Sequence, residues 1–389
     1  MSMSLSEKMH MKQTQLKQAG LLRVRQKIDP ASVNQIYPSM VLSVDGVEHI
    51  NFSSNDYLGL SQAPEMLDAL CLSAKQYGVG SGSSPLVTGY GHAHQLLEEQ
   101  LCQVTGHEAG LLFCSGFSAN TALMKTLFNT GDTVVADKRV HASIVDGLVD
   151  SKATLKRFLH NDLASAERLM SKYAPQALVT ESIFSMDGDV APLADLSRLC
   201  RENNTCFIVD DAHGFGIQPA LPATMKPVNA SIADIQVVTF GKALGCQGAA
   251  ILGSQLLIDF LVSNAREYIY STALSPINAS LALTAVKLTQ TSELRAVKLA
   301  ENIAYFKQSC LSAKIWLSES MTPIQPLIIG DVDNTLAIAE KLKSLGVWVG
   351  AIRPPTVLKG SARLRITITA LHTHGDIDTL VNSLTLALG

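Results

Sequence analysis

A lysine and a pair of aspartates stand at the ends of two apolar segments, where their side chains are placed to do chemistry. Lys242 is the single charged residue in VVTFGKALGCQGAAILGS, which spans residues 237–254. Asp210 and Asp211 follow directly after the apolar run FIV, and His213 comes two residues later. Each signal alone is weak, because an aspartate at a strand end often caps the next turn and loop lysines are common.

The two signals are more specific together. Each lies at the carboxyl end of a predicted strand, and about one strand–helix–strand repeat separates them. A converging acid and lysine suit a cofactor whose ring nitrogen is kept protonated and whose aldehyde is held as a Schiff base. We therefore predict a pyridoxal phosphate (PLP) site around Lys242 and one acid of the Asp210-Asp211 pair. The apolar surroundings of Lys242 would favour its neutral amine by desolvation.

Nearby segments meet the other requirements of PLP. Its phosphate favours backbone N–H groups at a helix start together with hydroxyl groups. Gly116 and Phe117 open a predicted helix after a strand, and Thr239 lies three residues before the lysine. The cofactor ring needs a flat partner on one face and a small side chain on the other. His141 and Ala212 are our candidates for these two places.

Two nucleotide-binding motifs are excluded by spacing. Gly80-x-Gly82 is followed by Pro85 where a dinucleotide fingerprint needs its third glycine, and no predicted strand precedes it. Gly241-Lys242 lacks both the upstream glycine and the following Ser or Thr of a Walker A loop.

Two histidine pairs have a spacing that can suit metal ligands. His92 and His94 form one pair, and His372 and His374 form the other. Neither pair has a cysteine or a further histidine nearby. We interpret all four as solvated turn histidines and predict no metal site.

Composition narrows the class of protein. The chain has 389 residues, of which 47% are hydrophobic, so two or more domains with sizeable cores are expected. A net charge of -3 without a run of Lys or Arg argues against nucleic-acid binding. No apolar window is long enough for a membrane span, and no signal-peptide core is present, so we expect a cytoplasmic protein. The seven scattered cysteines are expected to be reduced core residues.

Short apolar runs alternate with helical stretches between residues 55 and 275. The runs are AGLLFCS, DTVVAD, QALVTES, CFIVDD, IQVVTF and AAILGS. Consecutive apolar residues indicate strands buried on both faces, which is typical of an α/β fold with a mostly parallel central sheet and helices on both faces.

The rest of the chain divides into two parts. Residues 1–54 contain a predicted helix with a capping box at Ser4 and Glu7, followed by a β-hairpin around Asp45-Gly46. Residues 276–389 read as helices followed by alternating strands and helices, which indicates a smaller α+β C-terminal domain. We therefore predict three segments, with residues 55–275 as the large cofactor-binding domain.

Seven segments taken together resemble the α-oxoamine synthases. They are NFSSNDYLGLS, GSGSS, CSGFSAN, HASI, TESIFSMDGDVAPL, VDDAHGFG and VVTFGKALGCQGAAI. The resemblance runs from about Leu21 to the C-terminus. It implies a fold type I PLP-dependent transferase, similar to aspartate aminotransferase, that joins an amino acid to an acyl thioester with loss of CO₂.

One segment points to a branch of that family. AIRPPTVLKGSARLRITITALHT is similar to the branch that condenses L-alanine with pimeloyl-CoA or pimeloyl-acyl carrier protein in biotin biosynthesis. Relatives that use acetyl-CoA, succinyl-CoA or palmitoyl-CoA typically lack the Arg-Pro-Pro-Thr at 353–356. Glycine C-acetyltransferase, or another α-oxoamine synthase, stays open as the alternative activity, and an inactive scaffold of the same fold is the rival from another class.

The resemblance assigns cofactor contacts residue by residue. Lys242 is implied to hold the cofactor and later to act as the base, while Asp210 pairs with the pyridine nitrogen. His213 is implied to bond the ring oxygen and His141 to stack on the ring. The implied phosphate contacts are Gly116, Phe117, Thr239 and Thr272 of a second subunit. Ser185 is implied as a further cofactor contact.

The resemblance also assigns substrate contacts and an assembly. Arg353 is implied to bind the amino-acid carboxylate with help from Asn55 and Ser185. Arg23 is implied to meet the acyl donor, with Arg25 as the alternative. Because active sites in this family lie at a subunit interface, a homodimer is implied.

Overall fold

The computed structural model describes residues 3–30, 40–222, 225, 227–291 and 293–389. The chain forms two compact units. The smaller unit comprises Met1–Ser54 and Glu301–Gly389, and the larger comprises Asn55–Ala300. The division into residues 1–54, 55–275 and 276–389 stays a prediction. Among the described residues, no helix combines the length and the apolar character needed to cross a bilayer.

The larger unit is built on a seven-stranded sheet with the order β4-β10-β9-β8-β7-β5-β6. Its strands are β4 Ala109–Phe113, β5 Thr133–Asp137, β6 Thr154–Phe158, β7 Ala177–Glu181, β8 Cys206–Asp210, β9 Ile235–Thr239 and β10 Ala249–Gly253. The five strands β5 to β9 pair in parallel. The mostly parallel sheet expected from the apolar runs is confirmed, although β10 runs antiparallel to both neighbours.

One strand of the central sheet was not predicted from the sequence. Strand β6 has the sequence TLKRF, and only Phe158 of it is fully buried. It lies at the edge of the sheet next to β5. An edge strand can expose charged side chains such as Lys156 and Arg157, so it lacks the continuous apolar run by which its neighbours are recognised.

Helices cover both faces of the sheet, as predicted. The helices that lie within the larger unit are α2 Pro64–Tyr77, α3 His92–Thr105, α4 Gly116–Leu127, α5 Ala142–Ser151, α6 Leu163–Tyr173, α7 Leu193–Glu202, α8 Gln255–Asn264, α9 Arg266–Ile269 and α10 Pro276–Thr291. Strand β8 shows how the faces divide. Ile208 packs in the core shared with α4 and α5, while Phe207 and Val209 pack in the core shared with α6 and α7. Successive side chains thus enter opposite cores.

The smaller unit contains helices and two short sheets. Its helices are α1 Leu5–Gln18, α12 Val332–Ser344 and α13 His374–Leu388, and α11 Glu293–Ser312 continues into it from the larger unit. One sheet has the order β1-β2-β3-β12, with β1 Asp29–Pro30, β2 Val41–Val44, β3 Val47–Asn51 and β12 Val347–Trp348. The other has the order β11-β14-β13, with β11 Ile324–Gly330, β13 Gly350–Ile352 and β14 Ala362–Thr367.

The helix cap and the β-hairpin predicted near the N-terminus are both confirmed. Ser4 and Glu7 form the predicted capping box, with the Ser4 side chain accepting from the Glu7 N–H. The β2–β3 hairpin turns at Asp45 and Gly46, whose φ angles are 51° and 82°. Positive φ at both turn residues is what a type I′ turn requires.

The interpretation of the histidines as solvated was wrong for two of them. His94 is 2% exposed, and its ring nitrogens contact the Gly91 N–H and the Leu274 carbonyl. His372 is 1% exposed, and its ring contacts the Thr369 N–H and the Asn51 carbonyl. Burial lowers the pKa of His372 to about 4. Both imidazoles therefore act as buried hydrogen-bonding links between segments.

The cysteines are free thiols, but they are not all core residues. Cys200 and Cys310 are buried, whereas Cys71 is exposed and the others are half-buried. The expectation of reduced thiols agrees with the structure, and the expectation of burial holds for only part of the set.

Candidate active site

Asp210 is the last residue of β8 and is 5% exposed. Its Oδ2 accepts a 2.7 Å hydrogen bond from Asn120 Nδ2 in α4, and its Oδ1 accepts from the Ala212 N–H at 3.0 Å. Asn120 also donates to Ser143 Oγ in α5 at 3.1 Å. The carboxylate is therefore held in a defined orientation on the face of the sheet that α4 and α5 cover.

Asn120 is a site residue that the sequence reading missed. It is 3% exposed, and its Oδ1 has no hydrogen-bond partner among the described residues. An amide on the otherwise apolar buried face of α4 was the available signal, because buried polar side chains are seldom placed without a partner.

Asp211 has a different environment. It is 1% exposed and accepts hydrogen bonds from Ser182 Oγ and from Gln236 Nε2, the latter at 2.9 Å. Burial raises the pKa of Asp211 to about 7, against the opposing effect of these two donors. Of the two adjacent aspartates, Asp210 thus lies beside Asn120, and Asp211 lies in the packing between β7, β8 and β9.

Lys242 lies in the bend that follows β9. Its Nζ donates to Thr239 Oγ1 at 3.1 Å, and Thr239 Oγ1 contacts the Ala212 carbonyl at 3.3 Å. The lysine and the segment after Asp210 are thereby connected through a single hydroxyl. The predicted convergence of the acid and lysine segments is observed within the larger unit.

Two glycines permit the close approaches that shape this region. A Cβ on Gly116 would lie 2.6 Å from Thr239 Cγ2, so the start of α4 packs directly against the end of β9. Gly245 has φ of 62°, and a Cβ there would lie 2.4 Å from the Ser61 nitrogen. A larger residue at Gly245 would push the backbone at Ser61 away, and one at Gly116 would displace the Thr239 side chain.

The start of α4 has the features of a phosphate-binding terminus. Ser115 caps the helix by accepting from the Ser118 N–H, and the next two residues are Gly116 and Phe117. The first N–H groups of a helix have no intrahelical partner, and the helix dipole favours an anion there. Thr272 lies nearby in the same chain, since its carbonyl accepts from Cys114 Sγ at 3.3 Å.

Two histidines lie on loops at the carboxyl edge of the sheet. His141 caps α5, and its Nδ1 accepts from the Ser143 N–H at 3.3 Å. The Phe117 ring approaches it edge-on, with centroids 6.4 Å apart. His213 is buried, and its Nδ1 lies 2.6 Å from the hydroxyl of Tyr57. Tyr57 is fully buried and was missed by the sequence reading, although it belongs to the quoted segment NFSSNDYLGLS.

Asn55 and Ser185 also belong to the larger unit. Asn55 Oδ1 accepts from the Tyr57 hydroxyl at 3.4 Å, which places it next to the partner of His213. Ser185 is half-buried in the loop between the bridge residues Ile183 and Val190.

The arginine candidates lie in the smaller unit. Arg353 donates to the Leu22 carbonyl at 2.9 Å, and Arg23 donates to Thr356 Oγ1 at 3.2 Å. The segment at Leu22–Arg23 therefore contacts the Arg-Pro-Pro-Thr turn. Arg25 is exposed. The substrate-binding roles of these arginines stay predictions.

A further buried carboxyl lies beside Asp210. Glu181 ends β7, is 3% exposed and is the register partner of Asp210 in the parallel β7–β8 pair. Its side chain accepts a hydrogen bond from the backbone N–H of His141. Burial and the adjacent charge of Asp210 raise the pKa of Glu181 well above its ordinary value.

Comparisons with known proteins agree with this geometry. Residues 47–384 match the family of class I and II aminotransferases. The fold resembles serine palmitoyltransferase from S. paucimobilis with a bound PLP–myriocin aldimine, with a TM-score of 0.87 and 24% identity over 99% of this chain and 98% of that one. The seven-stranded sheet is thus that of the fold type I PLP-dependent enzymes.

Closer sequence relatives share one name. The chain is 45% identical to 8-amino-7-oxononanoate synthase from Cronobacter sakazakii (strain ATCC BAA-894), over 89% of this chain and 91% of the relative. It is 46% identical to the synthase of that name from Vibrio atlanticus (strain LGP32), over 90% and 86%. The solved 8-amino-7-oxononanoate synthase from Francisella tularensis superposes with a TM-score of 0.74 and 29% identity, over 87% of this chain and 98% of that one.

The chain therefore belongs to the class I and II aminotransferase family and, within it, to the family of the 8-amino-7-oxononanoate synthases. It is a PLP-dependent acyltransferase of the α-oxoamine synthase type.

Proposed function

We propose that this enzyme condenses L-alanine with a pimeloyl thioester, releasing CO₂ and free thiol and giving 8-amino-7-oxononanoate for biotin biosynthesis. The observation that supports it most is the match at 45% identity over nine-tenths of the chain to synthases of that name. The hydrogen bonds from Lys242 to Thr239 and from Thr239 to the Ala212 carbonyl support the proposal, because they link the lysine to the segment after Asp210.

The residues of the larger unit fit PLP by their chemistry. They comprise a buried carboxylate, a primary amine and a helix start at which Gly116 packs closely against the Thr239 side chain of β9. When bound, PLP supplies an electron sink that stabilises negative charge at the α-carbon of an amino acid. Asp210, held by Asn120 and the Ala212 N–H, would keep a proton on the pyridine nitrogen.

Lys242 has two roles in this proposal. Its Nζ would attach the cofactor, and once alanine has replaced it there, the freed amine would remove the α-proton. The hydrogen bond to Thr239 Oγ1 orients Nζ. The alanine α-carbon would form a bond to the thioester carbonyl carbon while the C–S bond breaks to release the thiol, and the alanine carboxyl group would leave as CO₂.

The remaining contacts would position the cofactor and the substrates. His141 would stack on the ring and His213, buttressed by Tyr57, would bond the ring oxygen. The phosphate would lie at Gly116 and Phe117, with Thr239 and the partner subunit's Thr272. Ser185 and Ala212 would complete the cofactor contacts, and Asn55, Ser185 and Arg353 would bind the alanine carboxylate, with Arg23 towards the acyl donor.

The proposal includes a homodimer and a cytoplasmic location. Thr272 is exposed, as a residue that serves a second subunit must be in the isolated chain. All seven cysteines are free thiols, which suits a reducing compartment.

Thiol release with matched substrate pairs tests the activity. The purified holoenzyme is incubated with alanine and either pimeloyl-CoA or pimeloyl-acyl carrier protein, and separately with glycine and acetyl-CoA. We expect thiol release and 8-amino-7-oxononanoate with alanine and at least one pimeloyl donor. Faster release with glycine and acetyl-CoA would refute the proposal in favour of a glycine C-acetyltransferase.

A further inference from the structure

A histidine lies between two carboxylates near the candidate site. His160 follows β6, and its Nδ1 is 2.9 Å from Asp137 Oδ1 at the end of β5. Its Nε2 forms a short contact with Asp189 Oδ2. The Phe184 ring lies edge-on to the imidazole, with centroids 4.4 Å apart and planes at 87°.

Asn161 closes the same cluster with its backbone and side chain. Its N–H donates to Asp137 Oδ2 at 2.9 Å, and its Nδ2 donates to Asp189 Oδ2 at 2.9 Å and to the Val190 carbonyl at 3.3 Å. We call Asp137, His160, Asn161 and Asp189 the His160 clamp.

The His160 clamp joins two loops that carry candidate site residues. Asp137 begins the turn that leads to His141, and the Arg139 N–H donates to its Oδ1 at 2.7 Å. Asp189 ends the loop that contains Ser185. A second connection joins the same two loops, because Arg139 and Asp187 form a salt bridge of 2.8 Å.

The geometry requires a charged imidazole. Ionised carboxylates only accept hydrogen bonds, so His160 must carry a proton on both ring nitrogens to satisfy Asp137 and Asp189 together. Burial alone would lower the pKa of His160, but the hydrogen bonds and charges of the two aspartates outweigh it and raise the pKa to about 9. Asp137 from β5 and Asp189 from the loop are the ionisable groups that face it.

We propose that His160 is a positioning residue that, as an imidazolium between Asp137 and Asp189, holds the Ser185 loop against the His141 turn and so shapes the amino-acid side of the active site. The functional part of this inference rests on the proposed roles of Ser185 and His141. The mechanical part concerns only the loop at residues 183–190.

Backbone amide exchange of that loop tests the mechanical part. Protection of residues 183–190 is measured on the holoenzyme between pH 6 and 10, with each value corrected for the intrinsic exchange rate. Wild-type protection should fall as the pH rises through about 9, because the neutral imidazole can donate to only one aspartate. His160→Gln should be poorly protected throughout the range.

Asp189→Asn separates charge from packing. The side-chain carbonyl of this variant can still accept from the imidazolium, but with one negative charge removed the pKa of His160 should fall and the loss of protection should move to lower pH. Asp187→Asn is the matched control, because it removes the same charge from the same loop at a residue that pairs with Arg139. The midpoint of this control should match that of the wild type.

The alanine KM, measured by thiol release, tests the functional part. At pH 7 we expect His160→Gln to raise the KM for alanine by about tenfold with a smaller change in kcat, since a misplaced loop costs substrate positioning. Asp189→Asn should show a raised KM only above its own, lower midpoint.

Each outcome has a separate meaning. Coincident exchange midpoints in wild type and Asp189→Asn, or full protection in His160→Gln, would overturn the clamp whatever the substrate is. An altered exchange profile with an unchanged KM would overturn its positioning role. Absence of any turnover by the wild type would refute the proposed function while leaving the exchange result decisive for the clamp.

Discussion

The two faces of the central sheet end in polar clusters of opposite electrostatic character. Glu181, Asp210, Thr239 and Lys242 form the cofactor cluster, at the carboxyl ends of β7 to β9. Three of these residues end strands, and each lies two positions after a residue that packs on the face covered by α4 and α5; those residues are Val179, Ile208 and Val237. Because side chains alternate along a strand, Glu181, Asp210 and Thr239 lie on that same face. The His160 clamp includes Asp137, which lies two positions after Val135. Val135 packs in the core on the other face of the sheet, so Asp137 lies on that face.

The His160 clamp pairs groups of opposite charge. The imidazolium lies between its two aspartates, and Asp137 also accepts from the N–H groups of Arg139 and Asn161. In the cofactor cluster, by contrast, two acids are register partners on adjacent strands, and the pKa of Glu181 is raised by burial and by the charge of Asp210.

The difference in charge arrangement distinguishes a cluster that supports nearby loops from a cluster suited to bind a cofactor. Carboxyl groups placed side by side in a buried site disfavour one another's charged forms, and such perturbed groups cluster at functional sites. Opposite charges that are hydrogen-bonded to one another, as in the His160 clamp, stabilise the loops around that site. The two clusters therefore differ in how they arrange charge: the cofactor cluster holds two carboxyl groups side by side, and the His160 clamp places an imidazolium between two carboxylates.

Lys242→Ala should have the largest effect on the cofactor cluster. Without the primary amine, turnover should fall by at least about a thousandfold, and the visible absorbance of the attached cofactor should disappear. Spectra and thiol release of the purified variant measure both. Lys287→Ala, at an exposed position in α10, is the control and should behave as wild type. Normal absorbance in Lys242→Ala would show that another residue attaches the cofactor.

Asp210→Asn should come next in size. The amide cannot keep a proton on the ring nitrogen by charge, so we expect turnover to fall about a hundredfold or more while the cofactor stays attached. Asp211→Asn makes the same chemical change one residue along, against Ser182 and Gln236. It should keep most of the activity. Equal losses in the two variants would contradict the division of roles between the adjacent aspartates.

Replacing Asp211 or Asp137 by asparagine should change the free energy of unfolding in opposite directions. These effects should be the smallest of the series. The pKa of Asp211 is raised to about 7, so its folded form binds more protons than the unfolded chain between about pH 4 and 7. Its charge therefore destabilises the protein as pH rises. The free energy of unfolding of Asp211→Asn, relative to wild type, should increase over that range by a few kcal/mol at most, on the order expected from linkage.

Asp137→Asn should lower the free energy of unfolding instead, by about 1–3 kcal/mol, since it weakens a buried acceptor of three hydrogen bonds. The pKa of His160 is raised to about 9, so the clamp contributes fully below about pH 6.5 and its contribution is lost as pH rises through 9. The deficit of Asp137→Asn should shrink accordingly. Denaturant unfolding at several pH values measures both variants, and deficits of the same sign would remove the contrast.

Much of the fold was predictable from local patterns. Continuous apolar runs identified six of the seven strands of the central sheet, because strands buried on both faces need apolar side chains at every position. Strand β6 was missed because an edge strand can carry Lys156 and Arg157. The antiparallel direction of β10 was not predictable from its sequence, since AAILG is equally suited to either pairing.

The candidate site was predictable only in part. The carboxyl ends of β8 and β9 pointed to Asp210, Asp211 and Lys242, and the family resemblance selected Asp210 from the pair. Asn120 and Tyr57 were missed, because their partners Asp210 and His213 are distant in the chain. The His160 clamp was missed for the same reason, since His160 had no local feature that distinguished it from a loop histidine.

The sequence by itself determined where the apolar strands end and which chemical groups follow them, because burial on both faces and turn chemistry are written in adjacent residues. The tertiary structure decided which groups meet. Asp210 and Asp211 are neighbours in the chain but face opposite sides of the sheet, and only the packing of α4 gives one of them Asn120 while Ser182 and Gln236 take the other. Side chains alternate along a strand, but the partner on each side comes from a distant segment.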